Sequence, residues 1–256
     1  MRLACSSQSY EDALDGGLSL TEWLRFVAAE LGLAGVELED KHVGVPTEER
    51  LAELRSACER HGLTIVNIAY MNNFGVEEET RRRAEEARTL QWMAISQRLG
   101  ARFLRTFAGW PEGDRGARWP GMISALRSVC EAAERRGVRL VLENHNHRGF
   151  VQTSADVTDI LGAVHSPALG LLLDTGNYLD GLRSIARTAA LAWHVHAKFT
   201  RVAADGRDPG VDHDAIVPLL RAAGYSGWVS LEYEGAEPSR TAVPRALAYL
   251  RQAIGP

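Results

Sequence analysis

The feature that most constrains this chain is a regular alternation. Short apolar runs rich in Val, Ile, Leu and Phe are followed by longer stretches with apolar residues three and four apart, at a period of roughly 30 residues. The runs are Leu3–Ser6, Gly35–Glu39, Thr64–Ala69, Phe103–Phe107, Arg139–Glu143, Leu169–Asp174, Trp193–Lys198 and Trp228–Glu232. A strand followed repeatedly by a crossover helix forces parallel strands, and about eight of them are what a closed barrel needs. The sequence therefore predicts an α/β fold, a single (β/α)8 TIM barrel over 1–256. A length of 256 residues with 45% hydrophobic content suffices for one such core. No linker, low-complexity segment or composition shift divides the chain.

The intervening stretches carry helix stripes. Leu20–Leu31 presents Leu20, Trp23, Leu24, Val27, Ala28 and Leu31 on one face, and Leu51, Leu54, Ala57 and Cys58 make a second stripe. Further helices are expected over Arg81–Leu99, Met122–Arg136, Ser154–Val164 with Ser154 as cap, Asp212–Ala223 and Val243–Ile254. Gly62, Gly100, Gly137 and Gly224 follow four of them closely as stop signals. Gly109–Pro120, rich in Gly, Pro and charge, reads as an active-site loop after the fourth strand. The loops Gln8–Ser19 and Met71–Glu79 are long enough to help cover the barrel mouth.

Charge and cysteine usage exclude several function classes. A formal net charge of −4 offers no basic footprint for nucleic acid or an anionic membrane. No apolar run approaches the ~18 residues of a membrane span. Arg81-Arg82-Arg83 sits among Glu77–Glu79, Glu85 and Glu86, which makes it a salt-bridged helix face. Cys5, Cys58 and Cys130 are scattered and odd in number, so a disulfide framework is not expected and a reducing cytoplasm is. Neither a Gly-rich phosphate cradle nor a nucleophile elbow is present.

Four late strands end in metal-binding residue types: Glu143, Asp174, His196 and Glu232. In a parallel barrel these ends open on one face and converge on the axis. Buried carboxylates are costly unless paired or metal-bound, so three together call for a cation. Three carboxylates and one imidazole make a hard, oxygen-rich site. It suits one divalent metal ion, Mn2+ or Mg2+ first, with Co2+, Fe2+ or Zn2+ also compatible. His194 shares the face of His196 by strand alternation; His196 is favoured as ligand because it lies nearer the strand end.

The segments Leu140-Val-Leu-Glu-Asn-His145, Leu173-Asp-Thr-Gly-Asn177, His194-Val-His-Ala-Lys198 and Gly224-Tyr-Ser-Gly-Trp-Val-Ser-Leu-Glu232 resemble the xylose isomerase-like superfamily of sugar isomerases and epimerases. The resemblance implies that Glu143, Asp174, His196 and Glu232 bind one metal. Glu143 and Glu232 then double as catalytic acid and base. Metal-coordinated oxygens on a ketose polarise its carbonyl, and a carboxylate removes the adjacent proton to leave a metal-bound ene-diolate. Return of the proton to the opposite face gives epimerisation, and return to the neighbouring carbon gives isomerisation. Loss of a β-hydroxyl gives dehydration.

The expectation is thus a metal-dependent isomerase or epimerase of a small sugar, sugar phosphate or keto-polyol. The alternatives are a metal-dependent dehydratase of a keto-inositol or dehydroshikimate-like acid, and a non-catalytic sugar-binding barrel. The related apurinic-site endonucleases use a multi-zinc cluster, and the 8 histidines here do not supply one at the early strand ends. Expected substrate contacts are His145, Asn177 (where several relatives carry His), Lys198 and Arg201. Arg105 and Glu37 are inward charges lower in the barrel. Trp110 and Phe74 are loop aromatics that could face a sugar. A homodimer or homotetramer is expected from the resemblance.

Overall fold

A computed structural model of the chain describes residues 1–145 and 147–255. Eight parallel strands close into a barrel: β1 (Arg2–Ser6), β2 (Gly35–Glu39), β3 (Thr64–Ala69), β4 (Phe103–Thr106), β5 (Leu140–Glu143), β6 (Leu169–Asp174), β7 (Ala192–Phe199) and β8 (Trp228–Tyr233). Closure is made by β8 against β1, in register from Arg2 opposite Trp228 to Cys5 opposite Leu231. Each strand is followed by a helix on the outside. These are α1 (Leu20–Ala29), α2 (Glu48–Arg60), α3 (Glu79–Leu99), α4 (Arg115–Arg136), α5 (Ser154–Val164), α6 (Leu182–Thr188), α7 (His213–Ala222) and α8 (Ser239–Ile254). No helix among the described residues is long and apolar enough to cross a membrane.

Local chemistry accounts for the boundaries. Ser19 opens α1 with a capping box to Glu22, and Thr153 opens α5 with one to Asp156. Thr153 rather than the expected Ser154 is therefore the cap, and Ser154 is the first helical residue. Gly137 ends α4 in the left-handed region (φ 66°), which a side chain would resist. The loop expected over Gly109–Pro120 is shorter than its composition suggests. Asp114 accepts a hydrogen bond from the Ala117 N–H at 2.7 Å and starts α4 at Arg115. Pro120 sits near the start of that helix, where its lost hydrogen bond is outweighed by burial of Met122, Ile123, Leu126 and Val129. The Gln8–Ser19 loop likewise contains a 3-10 turn (Ser7–Tyr10) and a short helix (Glu11–Asp15).

Inside the barrel the alternation of side chains builds two zones. An apolar floor is made by Ala4, Val66, Phe103, Val141, Leu172 and Trp228. Two residues further along four of these strands stand Arg105, Glu143, Asp174 and Ser230, all buried, followed on β8 by Glu232. The interior thus changes from apolar to densely charged toward the C-terminal ends of the strands. At that end, five strand seams are closed by side chains. Ser7 Oγ accepts from the Glu39 N–H, Ser9 Oγ bridges Leu231 and Tyr233, and Thr175 Oγ1 accepts from the Lys198 N–H, each at 2.9 Å. Asn72 pairs with both backbone groups of Phe107, and Asn144 with both of Asp174. Short polar residues here do the work of further ladder bonds while the backbone turns into its loops.

Candidate metal centre

Glu143, Asp174, His196 and Glu232 end β5, β6, β7 and β8 or lie one to three residues short of the end, and each is 2% exposed or less. One ligand atom from each lies within 4.8 Å of all the others. His196 Nδ1 stands 3.3 Å from Glu232 Oε2 and 3.8 Å from both Glu143 Oε1 and Asp174 Oδ2. Six-coordinate metal bonds of ~2.1 Å separate neighbouring ligand atoms by ~3 Å and opposite ones by ~4.2 Å, so this spacing is of the right size. The chemistry fits as well. His196 Nδ1 and Asp174 Oδ2 are buried with no hydrogen-bond partner among the described residues, and both belong to this cluster. Unpaired buried polar atoms are costly, and these two, 3.8 Å apart, would both be satisfied by a cation between them.

Electrostatics point the same way. Burial pushes the Glu143 carboxyl up to about 8 against the pull of Arg105 and His196. Asp174 is likewise raised by burial, with Lys198 opposing. Burial would also raise Glu232, but His196 and then Lys198 outweigh it and hold that carboxyl well below its usual range. Lys198 Nζ lies 2.9 Å from Glu232 Oε2 and 2.6 Å from Glu234 Oε2. Arg105 bridges Glu39 at 3.1 Å and Glu143 at 3.2 Å, its guanidinium 4.8 Å above the Phe107 ring. Each of the two glutamates therefore has its own cationic neighbour.

Asn144 sets the position of Asp174. Its side-chain amide accepts from the Asp174 N–H at 2.8 Å and donates to the Asp174 C=O at 3.0 Å, fully buried. Asn144→Ala strands both backbone groups away from water. The expected cost is roughly 2–4 kcal/mol in chemical denaturation, and metal affinity should fall with it.

Above the cluster opens a cavity of about 300 Å3. Its wall includes Glu39, Arg105, Glu143, His145, Lys198 and Glu232, with Phe107 and Met71 as apolar patches. The expected contacts His145, Lys198 and Arg105 thus meet the two glutamates there. Asn177, Arg201 and Glu37 are not brought to that wall. Asn177 is buried without lining it, Arg201 is an exposed residue whose backbone N–H binds Asp208 at 2.9 Å, and Glu37 is fully buried against His194 and His196. Phe74 is fully buried, and Trp110 packs on Phe107 and His145 instead of lining the cavity. His194, which shares the His196 face, bonds Glu37 at 2.7 Å and stays out of the four-residue cluster. Glu39, Phe107 and Glu234 escaped the sequence reading. Each follows an inward residue, Glu37, Arg105 or Glu232, by two positions, and the strand period alone would have found them.

A parallel (β/α)8 barrel with a carboxylate–histidine cluster at its mouth defines the class. The chain belongs to the xylose isomerase-like TIM barrel family, whose model matches residues 26–253. The rhizopine catabolism protein MocC of Rhizobium meliloti is 26% identical over 243 residues, covering 80% of this chain and 72% of its own. An inosose dehydratase of Geobacillus thermodenitrificans is 24% identical over 166 residues, 54% of this chain and 55% of its own length. Among solved structures, the D-psicose 3-epimerase of Clostridium cellulolyticum superposes with a TM-score of 0.82 at 18% identity, covering both chains fully. The 3-keto-D-glucoside 4-epimerase of E. coli does so at 0.80 and 19% identity, covering 98% of this chain and 99% of its own. At such identities the structural likeness speaks for the fold.

Proposed function

We propose that this protein is a divalent-metal-dependent isomerase or epimerase of a small unphosphorylated sugar or keto-polyol, moving a proton between substrate carbon and Glu143 or Glu232. One observation carries the reading. Of the four clustered residues only the two glutamates line the cavity, while Asp174 and His196 lie fully buried beneath it. Glu143, Asp174, His196 and Glu232 would hold the metal, which supplies polarisation of the substrate carbonyl and acidifies the adjacent C–H. Glu143 and Glu232 approach from β5 and β8, separate walls of the mouth, so one can take a proton and the other return it to a different face. Lys198 and Arg105 orient these carboxylates through their ion pairs and are placed to bind substrate hydroxyls. Phe107 and Met71 give the ring an apolar surface and exclude water from one side.

The cavity's own charges favour an uncharged substrate. Arg105, Lys198 and Lys41 are its lining cations, and each is already paired, with Glu39 and Glu143, with Glu232 and Glu234, and with Glu11. Glu39, Asp40, Glu143, Glu232 and Glu234 outnumber them along the wall. A phosphate group would meet no free cation and several carboxylates. A phosphorylated ketose is therefore expected to show kcat/KM at least ~10-fold below that of its parent sugar, since every 1.4 kcal/mol is tenfold. Steady-state kinetics on matched pairs checks this.

A second reading, dehydration of a keto-polyol, is favoured by the relative named inosose dehydratase. Proton NMR in D2O separates the two. An epimerase or isomerase puts deuterium into recovered substrate and its stereo- or positional isomer, whereas a dehydratase yields product lacking the elements of water. A panel of ketoses and keto-inositol that gives neither outcome with metal-loaded protein argues for the sugar-binding barrel instead.

A further inference from the structure

The Glu37 carboxylate is fully buried at the centre of the barrel and takes no part in the chemistry above. Its two oxygens are both used. Oε2 accepts from His194 Nε2 at 2.7 Å and Oε1 from His196 Nε2 at 2.8 Å. Ser230 Oγ lies 3.1 Å from His194 Nε2, and the His194 and His196 rings meet edge to face with centroids 5.5 Å apart. The other nitrogen of His196, Nδ1, is turned toward Glu143, Asp174 and Glu232 and has no hydrogen-bond partner among the described residues. An imidazole that donates through Nε2 keeps its last proton there, which leaves the Nδ1 lone pair for a cation.

We propose that Glu37 is a positioning residue that fixes both histidines with their protons on Nε2 and so aims His196 Nδ1 at the metal. This rests on the cluster being a metal centre. A carboxylate is needed because both of its oxygens must accept. A glutamine of the same shape offers one acceptor and one NH2 group. It can satisfy one histidine only, and the other must then present an Nε2 lone pair and carry its proton on Nδ1. In His196 that proton would stand where the cation belongs. In His194 it would fall on a nitrogen that is buried without a partner.

The test compares wild type with Glu37→Gln by calorimetric titration of Zn2+ into chelator-treated protein, and records 15N-histidine NMR spectra of the Zn2+-loaded forms. The expected result is a 10- to 100-fold loss of affinity in the variant, the usual effect of removing such an outer partner. In the wild type, the His196 signal should show metal at Nδ1 and a retained proton at Nε2. A merely structural role for Glu37 would leave that pattern unchanged in the folded variant. Equal affinity in both proteins, or a His196 that binds through Nε2, overturns the positioning role while leaving the metal centre intact. A wild type that takes up no Zn2+, Mn2+ or Co2+ overturns the metal reading and this proposal with it. Should the variant fail to fold, the wild-type spectrum decides by itself.

Discussion

Glu143→Gln and Glu232→Gln are each expected to reduce metal-dependent exchange of substrate C–H for deuterium by about 10^3-fold, the middle of the range for a general acid or base. Glutamine keeps the shape and an oxygen that can face the metal, but it neither accepts nor gives up a proton at the pH of the assay. At saturating metal the loss should fall on kcat, with KM changing little, because the carboxylates act in proton transfer more than in ground-state binding. Asp174→Asn gives the contrasting pattern: lower metal affinity, with activity partly recovered at high metal concentration. Proton NMR in D2O with Mn2+ removed before recording reads all three. Exchange that survives in both glutamate variants contradicts the proton-transfer assignment.

The second large effect is on stability. Metal at about 100 times its Kd stabilises the fold by ~2.7 kcal/mol, which for a chain of this size raises Tm by roughly 5–10 °C. In Asp174→Asn that shift should nearly vanish. The same variant in chelator should be as stable as wild type or more so, because one of three crowded buried carboxylates has lost its charge. The Glu143 proton makes stability fall with pH in the metal-free protein, and bound metal removes that slope. Burial holds the Glu143 carboxyl up at about 8, above its unfolded value near 4.5, so the metal-free protein loses stability as pH climbs through that interval. Metal must displace the same proton, so its affinity should rise about tenfold per pH unit from pH 6 to 8 and then level off. Thermal melts across that range should show a falling Tm without Mn2+ and a level one with it, so that the metal-induced shift grows with pH. A Tm shift that shrinks with rising pH contradicts the assignment of Glu143 as a ligand.

The barrel was legible because its signals are local and repeated. All eight strands start within one residue of their expected positions, and β2, β3 and β6 span the same residues, since apolar runs bounded by helix stops leave little freedom. The short elements were not legible: Ser7–Tyr10, Glu11–Asp15, Asp40–Val43 and α6 have too few residues for a period to show. Pro120 disguised the start of α4, where long-range packing outweighs a local breaker. In the site, the four residues at late strand ends were legible as a set, because one such residue is often a cap or surface group while four on adjacent strands open on one face. Which side chains share the cavity was not, because that depends on the depth of each residue along the axis. Glu37 and Glu39 have the same facing and differ by one layer: the first holds histidines, while the second pairs with Arg105 at the cavity wall. Asn177 is expected near the substrate from its match to a family position and Arg201 from its place just beyond β7, yet neither lines the cavity.

The most direct test is anomalous diffraction at the manganese edge from crystals of the wild-type protein soaked in Mn2+. A single strong peak is expected, within about 2.0–2.4 Å of Glu143, Asp174, His196 Nδ1 and Glu232. A peak on the Glu37–His194 side of the barrel, or none at the mouth when the metal is saturating, would contradict the central claim.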